Sequence, residues 1–97
     1  MTHSINYGGN AAIIVTNVND GFTFNAWCYN GVPITNETHI DGIEQVVVNN
    51  EDMKLELHNI TANISGITAE FNNNMVTVEA NANPSEGGTI NIESFNE

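Results

Sequence analysis

The chain is organised by alternation with period two. Met53, Leu55 and Leu57 alternate with Lys54, Glu56 and His58, which predicts a strand with one wet face. Ile60, Ala62 and Ile64 continue the same period. Ile67, Ala69 and Phe71 alternate with polar residues, and so do Val76, Val78, Ala80 and Ala82. Ile90 and Ile92 share one face of a last predicted strand over Thr89–Phe95. Near the start, Ala11–Val18 is apolar on both faces and reads as a central strand, with Ser4–Tyr7 as a short edge strand. No stretch carries the apolar spacing of a ten-residue amphipathic helix.

Turn chemistry cuts this pattern at short intervals. Asp20-Gly21, Asn30-Gly31 and Asp41-Gly42 are two-residue hairpin signals, because a type I′ turn needs positive φ at both central positions. They separate Phe22–Tyr29, Val32–Ile40 and Ile43–Asn50. An even loop at Asn73-Asn74 is expected as well. It sets Phe71 opposite Val76, Ala69 opposite Val78 and Ile67 opposite Ala80, so the apolar faces coincide; a three-residue loop would oppose apolar to polar. Asn83–Gly88, with Pro84 and two Gly, reads as a loop. The expected fold is all-β, a small antiparallel β-sandwich of about seven to nine short strands spanning residues 1–97 as a single domain. Immunoglobulin-like connectivity is the default, on strand number alone, since the Cys…Trp…Cys signature is missing.

Composition supports strands. Eleven Ile, eight Val and nine Thr stand against two Leu, and β-branched side chains fit a pleated surface better than a helix. Charge narrows the partners. Twelve Asp or Glu face one Lys and no Arg, for a formal net charge of −11. Direct nucleic-acid binding, which needs several cations, is therefore not expected. No apolar run approaches the roughly 20 residues of a membrane-spanning helix, so no membrane insertion is expected. The first residues lack the basic and apolar regions of a signal peptide. An extracellular surface or virus particle is the compartment slightly favoured. Asn-x-Ser/Thr triplets begin at Asn36, Asn59 and Asn63 and become glycosylation acceptors only in a secretory context. Cys28, the single cysteine, reads as a packed thiol between Trp27 and Tyr29.

The candidate binding residues follow from the Asn30-Gly31 hairpin. It sets Tyr29 opposite Val32 and Trp27 opposite Ile34, an apolar group of four on one face, flanked by Asn25 and Asn30. Phe22, Phe24, Ala26 and Cys28 fall on the other face under strict alternation. A strand apolar on both sides needs a cover on each: a second layer, a partner subunit or a ligand. Trp27 and Tyr29 beside two amides also suit a glycan, since aromatic faces stack on sugar rings and amides bind hydroxyls.

Catalytic and metal chemistry find little footing. His39 with Asp41, and Glu56 with His58, are pairs two apart that a strand places on one face, as a zinc site requires, but each supplies only two ligands. Asn17–Gly21 lacks the acidic first position and the distal Glu of a calcium loop. No nucleophile has a nominated base, and no cation stands ready for an anionic transition state. No enzyme activity, cofactor or metal is expected. The leading expectation is a structural or protein-interaction module that assembles with copies of itself or a neighbouring protein. The alternatives are an acidic inhibitor seated in a basic groove of a partner protein, and a small carbohydrate-binding module.

Overall fold

The computed structural model describes residues 1–95. Its regular structure is six strands, β1 (Gly9–Ile14), β2 (Phe22–Tyr29), β3 (Val32–Pro33), β4 (Ile43–Asn49), β5 (Lys54–Ile60) and β6 (Ile67–Asn73), with one short 3-10 turn at Ser85–Gly87. The all-β expectation is met. The strands form two three-stranded antiparallel sheets, ordered β1-β5-β4 and β3-β2-β6.

Alternation builds the first sheet as expected for β5. Leu55 and Leu57 are buried, and Lys54, Glu56 and His58 face outward. Ile13 and Ala11 stand opposite Leu55 and Leu57 from β1, and Val48 and Val46 do so from β4. β4 and β5 are joined through Asn50–Met53, where Met53 donates its amide to the Asn50 carbonyl at 3.2 Å and takes a φ of 53°. The Asn49 side chain secures this bend, accepting from the Asp52 amide at 3.1 Å and donating to its carboxylate at 2.9 Å.

The second sheet contains the hairpin predicted at Asn30-Gly31. Both residues have positive φ, 49° and 84°, as a type I′ turn demands. Tyr29 pairs with Val32, and Ile34 donates its amide to the Trp27 carbonyl at 2.9 Å. The core draws on both sheets and on the loop between β3 and β4: Trp27, Ile34, Ile40, Ile43, Val46, Leu55 and Leu57 are buried together.

Several expectations are corrected. Among the described residues there are six strands, fewer than the seven to nine expected. β1 lies at a sheet edge rather than at the centre and stops at Ile14, and Ser4–Tyr7 forms no strand. Asp20-Gly21 and Asp41-Gly42 are turns with positive φ at glycine, but each carries the chain from one sheet to the other. A favourable turn fixes the local bend, not which strands it joins. The loop at Asn73-Asn74 does not form. β6 runs on through Asn72 and Asn73, which pair with Thr23 and Phe22, and Asn74 then donates its amide to the Gly21 carbonyl at 2.7 Å. With those Asn held straight against β2, the tight return that would set Val76 opposite Phe71 is not made. That segment and Thr89–Phe95 form no strands.

The chain beyond Asn74 instead leaves the body. The molecule measures 69 × 25 × 24 Å, with a radius of gyration of 21.1 Å. A compact chain of this length has a radius near 12–13 Å. The accessible surface is 7880 Å², roughly 2,400 Å² more than the mass of a compact monomer implies.

Candidate assembly surface

The predicted binding residues are sorted by one irregularity in β2. Phe24 pairs with Phe71 and Ala26 with Glu70, so Asn25 is an extra residue, a β-bulge. The bulge shifts the alternation by one. Phe24, Trp27 and Tyr29 now share a face, opposite Phe71, Ala69 and Ile67 of β6. The Phe24 ring lies 5.8 Å from Trp27 and 5.9 Å from Phe71, in tilted and edge-on contacts. The opposite face keeps only Ala26 and Cys28 as apolar groups, and Cys28 is a buried free thiol. The expected doubly apolar strand is thus one large apolar face and one small one. Its need for a second cover falls away.

Within the named group, Trp27 and Ile34 are each 4% exposed and belong to the core. Tyr29 is half-buried, and Val32, Asn25 and Asn30 are exposed. The hairpin therefore joins Tyr29 to Val32 and Trp27 to Ile34 without offering the six residues as one platform. The Trp27 indole nitrogen is buried with no hydrogen-bond partner, a cost the core carries.

The large exposed apolar surface lies elsewhere. Val76 is 89% exposed and Val78 73%, and Met75, Ile90, Ile92 and Phe95 are exposed with them. Alternation alone did mark this segment as a strand; its isolation was not legible. Among the described residues, the outer side of β6 has no neighbouring strand. Phe71 on β6 is 40% exposed. With Phe22, Asn17 and Asn19 it lines an open cleft of about 290 Å³. The arm is anchored at its root: Asn74 Nδ2 donates to Thr23 Oγ1 at 3.0 Å, and the Met75 side chain occupies the space that a side chain on Gly21 would need.

Electrostatics give this surface little help or hindrance from cations. Lys54 Nζ and His58 Nε2 both reach Glu56, at 3.2 and 3.0 Å, on the outer face of β5. Hydrogen bonding from Lys54, then from His58, holds the Glu56 carboxyl below its ordinary value of 4.5. His39 and Asp41 form a separate exposed pair at 3.0 Å. The two His–carboxylate pairs each bond internally, and no group of three or more His, Cys, Asp or Glu is clustered among the described residues. No helix among them is long and apolar enough to cross a membrane. The chain matches no protein-family model, no curated protein and no solved structure.

Proposed function

We propose that this protein is a non-enzymatic structural module that assembles with copies of itself, as a component of a surface, filament or particle. The observation that carries the reading is the apolar arm after Asn74. Its side chains are among the most exposed large hydrophobics of the chain, on a molecule whose surface exceeds a compact monomer's by roughly 2,400 Å². Stable interfaces bury about 1,200–2,000 Å² in total, so the excess is of the size that association removes.

The body fits a small β-sandwich with immunoglobulin-like connectivity. The order β1-β5-β4 corresponds to strands B-E-D of that arrangement, and β3-β2-β6 to C′-C-F. On this reading two seats are vacant, the one beside β1 and the one beside β6. The second belongs to the strand that follows β6 in sequence, which here is the arm. A lone sandwich would leave both the seat and the arm in water, and association relieves both.

Sedimentation across protein concentration tests the reading. Mass that rises with concentration, and rises further with added salt as self-repulsion between chains of charge −11 is screened, is the expected result. A monomer at every concentration and salt overturns it. The acidic-inhibitor alternative predicts the opposite salt response, because attraction to a basic partner weakens as charges are screened.

A further inference from the structure

We infer that the outer edge of β6 receives the Val76–Ala82 segment of a second copy, in antiparallel register with Phe71 opposite Val76, Ala69 opposite Val78 and Ile67 opposite Ala80. The inference rests on the self-assembly reading and names the contact that makes it.

Three features of the chain select this partner for this edge. The first is sidedness. Ile67, Ala69 and Phe71 all face the core side of β6, and the stated register brings Val76, Val78 and Ala80 onto the same side, extending the core face rather than crossing it. The second is charge. The same register sets Glu70 opposite Thr77 and Glu79 opposite Thr68, so no two carboxylates meet directly in a chain with twelve of them. A slip by two residues that brings Glu79 opposite Glu70 would oppose like charges. The third is geometry within one molecule. Asn72 and Asn73 are paired to β2 and Asn74 is bonded to Gly21, so the residues needed for a tight return to the chain's own β6 are already committed. The complementary segment is therefore supplied by a neighbour, as in strand addition and segment swapping generally.

The other edges are poorer hosts. β3 is two residues long and ends in Pro33, which has no amide to donate. β1 is interrupted by an irregularity between Gly9 and Ala11. The outer side of β4 is partly occupied, since the Val48 amide donates to Asn36 Oδ1 at 2.7 Å. If each arm enters the next copy, the contact is head-to-tail and propagates; if two arms exchange, it closes as a dimer.

Disulfide trapping tests the register. Thr68→Cys and Glu79→Cys are combined in a Cys28→Ala background, because Thr68 pairs with Cys28 across β2 and β6 and would otherwise capture it. Mild oxidation should yield interchain disulfides, at least about tenfold over the control Thr68→Cys with Ala80→Cys, whose second side chain points to the opposite face. Mixing the two single-cysteine chains reads the same contact if the double variant is unstable. An intrachain disulfide overturns the inference, because the arm then folds on its own β6. Association without preference for the 68–79 pair also overturns it, while leaving self-assembly standing. Absence of association in the unmodified protein removes the self-assembly reading and this inference together.

Discussion

Phe24 and Trp27 lie on the same side of β2 with ring centroids 5.8 Å apart, although strict alternation along a strand would send them to opposite faces. The cause is the extra residue, Asn25. It aligns four aromatic side chains, Phe24, Trp27, Tyr29 and Phe71, along one face.

Deleting Asn25 should leave Phe24 and Trp27 two residues apart, on one face by regular alternation and still in the core. The deletion should therefore cost much less than the about 3–5 kcal/mol of a lost large aromatic contact. Urea unfolding followed by tryptophan fluorescence reads the effect. A deletion variant destabilised by that full amount would show that Asn25 is not the surplus residue of β2.

The unpartnered indole of Trp27 separates packing from hydrogen bonding. Trp27→Ala removes the ring and should cost about 3–5 kcal/mol. Trp27→Phe keeps most of the ring and deletes a buried donor that makes no bond, so it should cost under about 2 kcal/mol. Equal costs for the two would mean that the indole N–H is satisfied in solution.

Two glycines with similar φ make a clean comparison. Gly31 has φ 84° and open space where a Cβ would sit, while at Gly42, with φ 88°, a Cβ would come within 2.6 Å of the Ala62 Cβ. Gly31→Ala should cost only the left-handed conformation, about 1–2 kcal/mol. Gly42→Ala adds a clash with the chain leaving β5 and should cost more. Thermal midpoints of the two variants check the order, and a reversed order would contradict the packing at Ala62.

The Glu56 carboxyl, held below its ordinary value by Lys54 and then by His58, links stability to pH. A depressed folded pKa means that its contribution is complete above the unfolded value near 4.5 and is lost as pH falls through the lower folded value. Glu56→Gln should thus narrow the stability gap between pH about 6 and pH about 3 relative to the parent chain. All three side chains are substantially exposed, so the change is small and shrinks in high salt. Parallel unfolding curves for parent and variant across that range would remove the link.

Much of this was legible in the residues, and the failures have physical causes. The wet face of β5 and the Asn30-Gly31 hairpin follow from alternation and positive φ, both local properties. The bulge at Asn25 was not readable, because Asn serves equally well as an outward strand residue, and only the partner strand reveals that it is surplus. Asp20-Gly21 and Asp41-Gly42 were read as hairpins because glycine announces a bend, whereas sheet exchange depends on distant pairing. Asn73-Asn74 failed for a related reason: amides that suit a turn also suit a strand edge, and Thr23 and Gly21 offered them partners. As for the candidate site, sequence placed Trp27 and Ile34 correctly against each other without showing that both point into the core. The arm's alternation was visible from the start, but its separation from β6 was not.

Hydrogen exchange measured over a range of protein concentrations tests the central claim most directly, by following amides of Ile67–Asn73 and of Val76–Ala82 together. Protection of both segments that is low in dilute solution and grows in step as copies accumulate is the result the account predicts. Amides of Val76–Ala82 that exchange freely at every concentration, or that are already protected in the most dilute sample, would contradict it.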